Sequence, residues 1–342
     1  MSMNDLRIEY RKLNNDDFSP TPSCFSQDFP GEEVQLIRHD NCGMLLMEGK
    51  RPQYYFHNMN ETSSRWSAFI ELGDSPLSLQ KSVHDEDMAQ EEKTVGYHLL
   101  CEDPVTYGIK TLSGNPMEFT YNQEGCSWKE GKDGSILDVK GQWFPYGLIC
   151  HIGSEYNIPF IHQPVHLEGT YEGKPIEFLA CIDRIYAPKG KEELIIRNAT
   201  SYISSYCSGI REDGRREWFM ALICHDNGKG LGIYYIDGQE PVISEEVINE
   251  GVWERLPYVD DDTVVAVDNI WRFGGKVFHV KGRYGAKGFT GRPRFDRHGQ
   301  SQVFGSWYEG DIEYRHRIFN TFSENMDAYA ASMKERGFRV KE

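Results

Sequence analysis

Along most of the chain, apolar residues come in short bursts, alternating or nearly continuous, each ended by turn-forming residues. Examples are RWSAFIEL (65–72), KTVGYHLL (93–100), VTYGIKTL (105–112), SILDVKGQW (135–143), VHLEGTY (165–171), IEFLACIDRIY (176–186), EWFMALICH (217–225), GLGIYYIDG (230–238) and KVFHVKGRY (276–284). Between several of them stand tight-turn sequences: KDGS, YEGKP, DNGKG, IDGQ and FGGK. Glycine supplies the backbone conformation that short hairpin turns need, and period-two alternation sets one row of side chains on each face of a strand. The pattern predicts many antiparallel strands and an all-β fold. Helical spacing is clear only in SENMDAYAASMKERGF (323–338), where Met326, Tyr329, Ala330 and Met333 share a face, Ser323 is the expected N-cap and Gly337 the stop. The acidic stretch SVHDEDMAQEEK (82–93) reads as a solvated helix or a loop. No GxGxxG follows a strand and no P-loop is present, which argues against a doubly wound α/β fold.

The chain has 342 residues, enough for two domains or one large β domain. Two internal echoes favour two. SWKEG (127–131) resembles SWYEG (306–310), and RWSAFIEL resembles EWFMALIC, each with a tryptophan entering an apolar strand. The expected division is an N-terminal barrel over 1–152 and a C-terminal barrel with the terminal helix over 153–342, parted at GSEYNIPF. Each half has the length of a small up-and-down barrel, whose inward side chains either enclose one small ligand or fill the core. With 19 Tyr, 18 Phe and 7 Trp, the chain has aromatics for either outcome.

Charge narrows the partners. Lys and Arg number 37 against 53 Asp and Glu, a formal charge of −16, so neither nucleic acid nor an anionic membrane surface is an expected partner. No apolar run is long enough to span a bilayer and the first twenty residues are polar, so a cytoplasmic protein is expected. Cys24, Cys42, Cys101, Cys126, Cys150, Cys181, Cys207 and Cys224 are dispersed without a CxxC pair, the pattern of buried thiols in a reducing compartment.

Candidate chemistry concentrates in HQPVHLEGTYEGKPIEFLACIDRIYAP (162–188), which reads as two strands around an EGK turn. His162 and His166 fall on one side of an extended segment. They read as a pair of metal ligands or as polar residues of a wet face, and since spacing fixes no third ligand, no metal is expected. Asp183 shares a face with Leu179, Cys181 and Ile185. Burial there would suit it to general acid work, and the alternative is a structural salt bridge. Arg184 points to the opposite face. His225-Asp226, His279 and the basic group Arg292, Arg294 and Arg297 read as rim, solvent-facing and charge-balancing residues. No GxSxG, HExxH or kinase signature is present.

His166, Gly169-Thr170, Gly173 and Asp183-Arg184-Ile185-Tyr186 follow an order that resembles the central motif of the double-lipocalin family, which includes the AttH-like proteins and the bacterial carotenoid 1,2-hydratases. Tyr186 stands where that motif tends to have Trp, Ala187 where it has Gly, and Cys181-Ile182 replace a Gly and an aromatic. The resemblance implies two consecutive lipocalin-like barrels and hydration, cyclisation or isomerisation of a hydrophobic, isoprenoid-like small molecule with no cofactor. In that setting Asp183 is the expected acid and His166 the residue that orients it or activates water. Tyr186, Trp218, Tyr235 and Trp271 are the expected pocket wall, because aromatic faces stabilise a developing cation. The expected function is a lyase or isomerase. The competing readings are a non-catalytic carrier or sensor of a hydrophobic ligand, and a β-sandwich with a surface binding role.

Overall fold

The apolar bursts form strands, and the glycine-bearing turns between them form hairpins. The computed structural model describes residues 7–50, 52–60, 64–71, 89–102, 104–111, 116–151, 159–191, 202–225, 228–255, 262, 264–282, 301–303, 305–311, 316–325 and 329–341. They fall into two compact units. Met1–Lys50, Tyr55–Ala68 and Ala89–Ala199 make the first, and the second is chiefly Thr200–Glu342. The division at 199/200 lies well beyond the expected boundary at 152. The reason is pairing: the strands over 160–188 join the sheet of the residues before them. None of the described helices is long and apolar enough to cross a membrane.

The strands of the first unit, two of which run a few residues beyond its bounds, are β1 (Ile8–Arg11), β2 (Val34–Met47), β3 (Gln53–Asn60), β4 (Ser64–Glu71), β5 (Ala89–Glu102), β6 (Val105–Thr111), β7 (Pro116–Tyr121), β8 (Cys126–Glu130), β9 (Leu137–Trp143), β10 (Gly147–Cys150), β11 (Phe160–Tyr171) and β12 (Lys174–Pro188). They form one sheet in the order β1-β10-β11-β12-β2-β3-β4-β5-β6-β7-β8-β9, and β9 pairs in turn with β11, so the order returns on itself. The acidic stretch read as helix or loop is partly strand, since β5 begins at Ala89. Two short 3-10 turns, Asn15–Phe18 and Ser23–Phe25, lie between β1 and β2.

The hairpin of β11 and β12 turns on Glu172 and Gly173, both at positive φ (48° and 73°), a two-residue turn whose twist suits the strands it joins. It sets Gln163 opposite Ile182, Val165 opposite Ala180 and Leu167 opposite Phe178. β2 continues the rows, with His39 opposite Arg184, Asn41 opposite Ile182 and Gly43 opposite Ala180. These residues share the face that meets Phe119, Tyr121 and Trp128. Gly43 is required there: a Cβ would stand 2.4 Å from the Leu179 carbonyl oxygen and 2.5 Å from the Phe178 ring.

The second unit has β13 (Tyr202–Arg211), β14 (Arg216–Cys224), β15 (Gly230–Ile236), β16 (Val242–Ser244), β17 (Ile248–Arg255), β18 (Val264–Phe273), β19 (Lys276–Gly282), β20 (Ser301–Val303), β21 (Gly305–Glu309), β22 (His316–Asn325), helix α1 (Ala330–Glu335) and β23 (Arg339–Lys341). They form two sheets, β16-β15-β14-β13-β22-β20 and β21-β19-β18-β17-β23. One core gathers Phe219, Ala221, Tyr234 and Ile236 of the first sheet with Trp253, Trp271, Phe278 and Trp307 of the second, and α1 adds Ala330 and Met333. The echo SWKEG and SWYEG occupies β8 and β21, each followed by a glycine at positive φ, Gly131 and Gly310.

The terminal helix is shorter than its sequence pattern. Ser323 is no N-cap: it lies in β22, with Oγ 2.5 Å from that of Ser205. Residues 316–325 alternate and pair along β13, and that ladder overrides the helical spacing that begins within them. The stop is as expected. Gly337 has φ 83°, its N–H donates to the Lys334 carbonyl, and Phe338 N–H donates to that of Met333.

Candidate functional site

The inward face of β2, β11 and β12 carries polar side chains that the alternation alone does not explain. Arg184 is 1% exposed. Its guanidinium lies 4.7 Å from the Phe18 ring, 5.2 Å from Tyr121 and 5.9 Å from Trp143. Nη1 donates to the Asp17 carbonyl at 2.8 Å. The turn that supplies Phe18 and Asp17 is fixed by a capping box, in which the Asn14 side chain accepts from the turn's backbone and Asp17 accepts from Asn14 N–H. Arg11 adds a bidentate pair to Asp17 at 2.7 and 2.8 Å. Arg184 thus holds the 3-10 turn against this face.

Beside it stand groups with open hydrogen-bonding capacity. Neither end of the buried Asn41 carboxamide has a partner among the described residues, and the same holds for Gln163 Oε1, Arg184 Nη2 and the Tyr186 hydroxyl. Gln163 is anchored by its other end, Nε2 donating to the Phe144 carbonyl at 2.9 Å. His39 lies 4.5 Å from the Phe119 ring and 6.3 Å from Tyr121. Burial raises the Tyr107 hydroxyl to about 12 and holds that of Tyr186 higher still, so both stay protonated donors. Each buried polar atom left without a partner costs about 1–3 kcal/mol, so such groups mark places where water or a ligand completes the bonding. Aromatic walls with a few convergent polar groups are the make-up of a small-molecule site.

The opposite face of β11 and β12 carries the residues expected to do the chemistry. His162 lies directly across from Asp183, and its Nδ1 is hydrogen-bonded to the carboxylate. Burial opposes the imidazolium, but Asp183 and then Cys181 outweigh it, and the His162 pKa is raised from 6.5 to about 10. Asp183 does share its face with buried Leu179 and Cys181, yet its own side chain is 36% exposed. It forms the ion pair that was the alternative to the acid role.

His166 does not reach Asp183. It sits opposite Leu179, and its Nε2 is 2.7 Å from Glu177 Oε1. One donor atom each of His166, Glu168 and Glu177 lies within 4.8 Å of the other two, a grouping whose donors suit a divalent cation although the sequence spacing had suggested none.

Of the expected pocket aromatics, those of the second unit lie partly in its core and partly on the side away from it. Tyr186 belongs to the first unit, on the inward face. Trp271 fills the core of the second, its Nε1 donating to Ser205 Oγ at 2.8 Å. Trp218 and Tyr235 face each other across β14 and β15, on the side away from the core that their neighbours Phe219, Tyr234 and Ile236 build. Tyr235 donates to Asp237 Oδ1 at 2.6 Å. In those strands the inward row is displaced by one residue from the one expected. His225 lies 2.9 Å from Asn325 Oδ1 and His279 stacks on Tyr308 at 4.8 Å, while Asp226 and the 292–297 arginines lie outside the described residues.

Sequence reasoning missed Asn41 and Gln163 as site residues. Parity with Val165 and Leu167 was the signal that could have found Gln163. It also missed a charged cluster in the second unit. Glu217, fully buried, accepts from Arg211 Nη2 at 2.6 Å and from the Tyr234 hydroxyl at 2.7 Å, and lies 2.5 Å from His316 Nε2.

No protein-family model matches the chain, and no curated protein matches it. Several solved structures are similar. Kievitone hydratase from Nectria haematococca shares 9% identity at a TM-score of 0.49, over 95% of this chain and 98% of that one. CghA with Sch210972 shares 11% at 0.45, over 94% and 99%. A protein assigned to AttH from Nitrosomonas europaea shares 8% at 0.44, over 87% and 93%.

Proposed function

We propose that the first unit takes up a small, mainly apolar molecule bearing one or two hydrogen-bonding groups, and that the protein acts on it as a lyase or isomerase through acid–base chemistry. The observation that carries this reading is the set of buried polar atoms without partners on the inward face: both ends of Asn41, Gln163 Oε1, Arg184 Nη2 and the Tyr186 hydroxyl. Asn41 and Gln163 would orient the ligand's polar group. Phe119, Tyr121 and Trp128 would receive its apolar body and stabilise positive charge that develops on it. The proton-transfer role falls in this reading to His39, one row from Asn41 on the same face, rather than to Asp183 across the sheet. An imidazole donates and accepts protons near neutrality, which suits protonation of an alkene followed by capture of water, or the reverse. A hydratase among the structures of similar fold is in keeping with it.

The test is solvent extraction of freshly purified protein with mass spectrometry of the extract, followed by incubation of the recovered compound with the protein in D2O. A stoichiometric apolar compound that gains deuterium at carbon, with wild type but not with His39→Gln, is the expected result. A compound bound but unchanged would replace catalysis with carriage. Loss of deuterium incorporation in Asp183→Asn instead of His39→Gln would return the acid role to the other face.

A further inference from the structure

Cys42 and Cys181 stand directly opposite each other on β2 and β12. Residues so paired in an antiparallel sheet have Cα atoms about 4.5–5.5 Å apart, inside the roughly 4.4–6.8 Å that a disulfide spans. Both side chains point to the same side as His162 and Asp183, since 181 and 183 have equal parity and Cys42 opposes Cys181. Neither is in a disulfide. Cys42 is partly exposed and Cys181 is 1% exposed. On its other side Cys181 faces Pro164, which has no N–H to give to the ladder. A small oxidant therefore meets Cys42 first, with the buried Cys181 directly opposite it on the neighbouring strand.

We propose that Cys42 and Cys181 are a peroxide-responsive dithiol that closes to a cross-strand disulfide, with His162 as the positioning residue. The Cys42 thiolate attacks one oxygen of a hydroperoxide. An S–O bond forms, the O–O bond breaks, and the leaving oxygen takes a proton and departs as water or an alcohol. The Cys181 sulfur then attacks the Cys42 sulfenic acid. The S–S bond forms, the S–O bond breaks, and the hydroxide that leaves takes the Cys181 proton as water. Two thiols lose two electrons and the peroxide gains two. The imidazolium of His162, hydrogen-bonded to Asp183 and in contact with Cys181, lies beside the sulfur that carries negative charge during the second attack. The inference is independent of what the inward face binds. It does tie the two faces together, because Asn41 precedes Cys42 and Ile182 follows Cys181 in the same strands.

The experiment is to titrate the full-length protein with hydrogen peroxide, alkylate with N-ethylmaleimide in denaturant, and map the digest by mass spectrometry. The expected product joins the Cys42 peptide to the Cys181 peptide, less two hydrogen atoms, and dithiothreitol separates them. Cys181→Ser should leave a Cys42 sulfenic acid that dimedone traps. His162→Gln should slow ring closure about ten-fold at neutral pH, with sulfenic acid accumulating at Cys42 and with a changed pH profile. The wild-type map decides the matter by itself if His162→Gln fails to fold. Oxidation of the exposed Cys101 while Cys42 and Cys181 remain alkylatable would overturn the proposal, and so would a Cys42 sulfinic acid without the linked peptide.

Discussion

His162 is hydrogen-bonded through Nδ1 to Asp183 across β11 and β12, pairing a buried imidazole with a carboxylate that reaches solvent. The His162 pKa lies at about 10 in the folded protein against its ordinary 6.5. A group whose folded pKa is raised contributes stability that is complete below the unfolded value and is lost as pH climbs through the folded one. Stability should therefore fall between pH 6.5 and 10, by about 1–3 kcal/mol once the exposure of Asp183 is allowed for. Urea denaturation across that range is the measurement. Asp183→Asn should lower stability at pH 6 and remove most of the slope, whereas an unchanged slope would mean that the ion pair contributes nothing.

Asn41 should behave in the opposite sense from most buried residues. Its carboxamide is buried with no partner among the described residues, so Asn41→Leu, of similar size, removes an uncompensated polar group. The ligand-free protein should gain about 1 kcal/mol in denaturant unfolding. The same variant should retain less of any compound extracted from wild type. A loss of stability would show that water or another group already satisfies Asn41.

Much of this was legible in the chain, for reasons that differ by residue. Period-two alternation and turn chemistry are local, so the β11–β12 hairpin and its EGK turn, and the opposite facing of Asp183 and Arg184, follow from residues 162–188 alone. The domain boundary is not local: whether β11 and β12 belong to the preceding or following strands depends on their pairing with β2 and β9. Ser323 failed as a cap because pairing along β13 outweighed a helical spacing. His162 pairs with Asp183, and His166 with Glu177, because register fixes partners, and register between two strands was not readable from spacing within one. Trp218 and Trp271 were aromatic in the right elements, but parity placed one away from the core and the other deep inside it.

Gly43 tests the close packing that holds the candidate site. With the Leu179 carbonyl oxygen 2.4 Å and the Phe178 ring 2.5 Å from any added Cβ, Gly43→Ala must displace backbone as well as a side chain. The expected cost is about 1–3 kcal/mol by chemical denaturation. Gly173→Ala, at a turn with open space but φ 73°, should cost less, about 1 kcal/mol, through backbone strain alone. If the two variants prove equal, the contact at Gly43 relaxes more readily than its geometry indicates.

The charged cluster of the second unit makes the last prediction. Glu217 is the hub. Arg211 Nη2 and the Tyr234 hydroxyl donate to its Oε2, and His316 Nε2 meets its Oε1. The Trp307 ring packs on His316 at 4.3 Å, and Gly209 leaves room for that imidazole, since a Cβ there would meet it at 2.3 Å. Replacing a fully buried carboxylate while leaving its partners in place strands the Arg211 guanidinium, at about 3–5 kcal/mol. Glu217→Gln should therefore be strongly destabilising even though it keeps size and one acceptor. A double variant that also replaces Arg211 with Met should recover part of the loss, because the cation that Glu217 chiefly balances is then gone as well, Glu309 lying farther from it at 3.8 Å. A double-mutant cycle by chemical denaturation gives the coupling directly. Additive effects would show that Arg211, itself 16% exposed, relies on water rather than on Glu217.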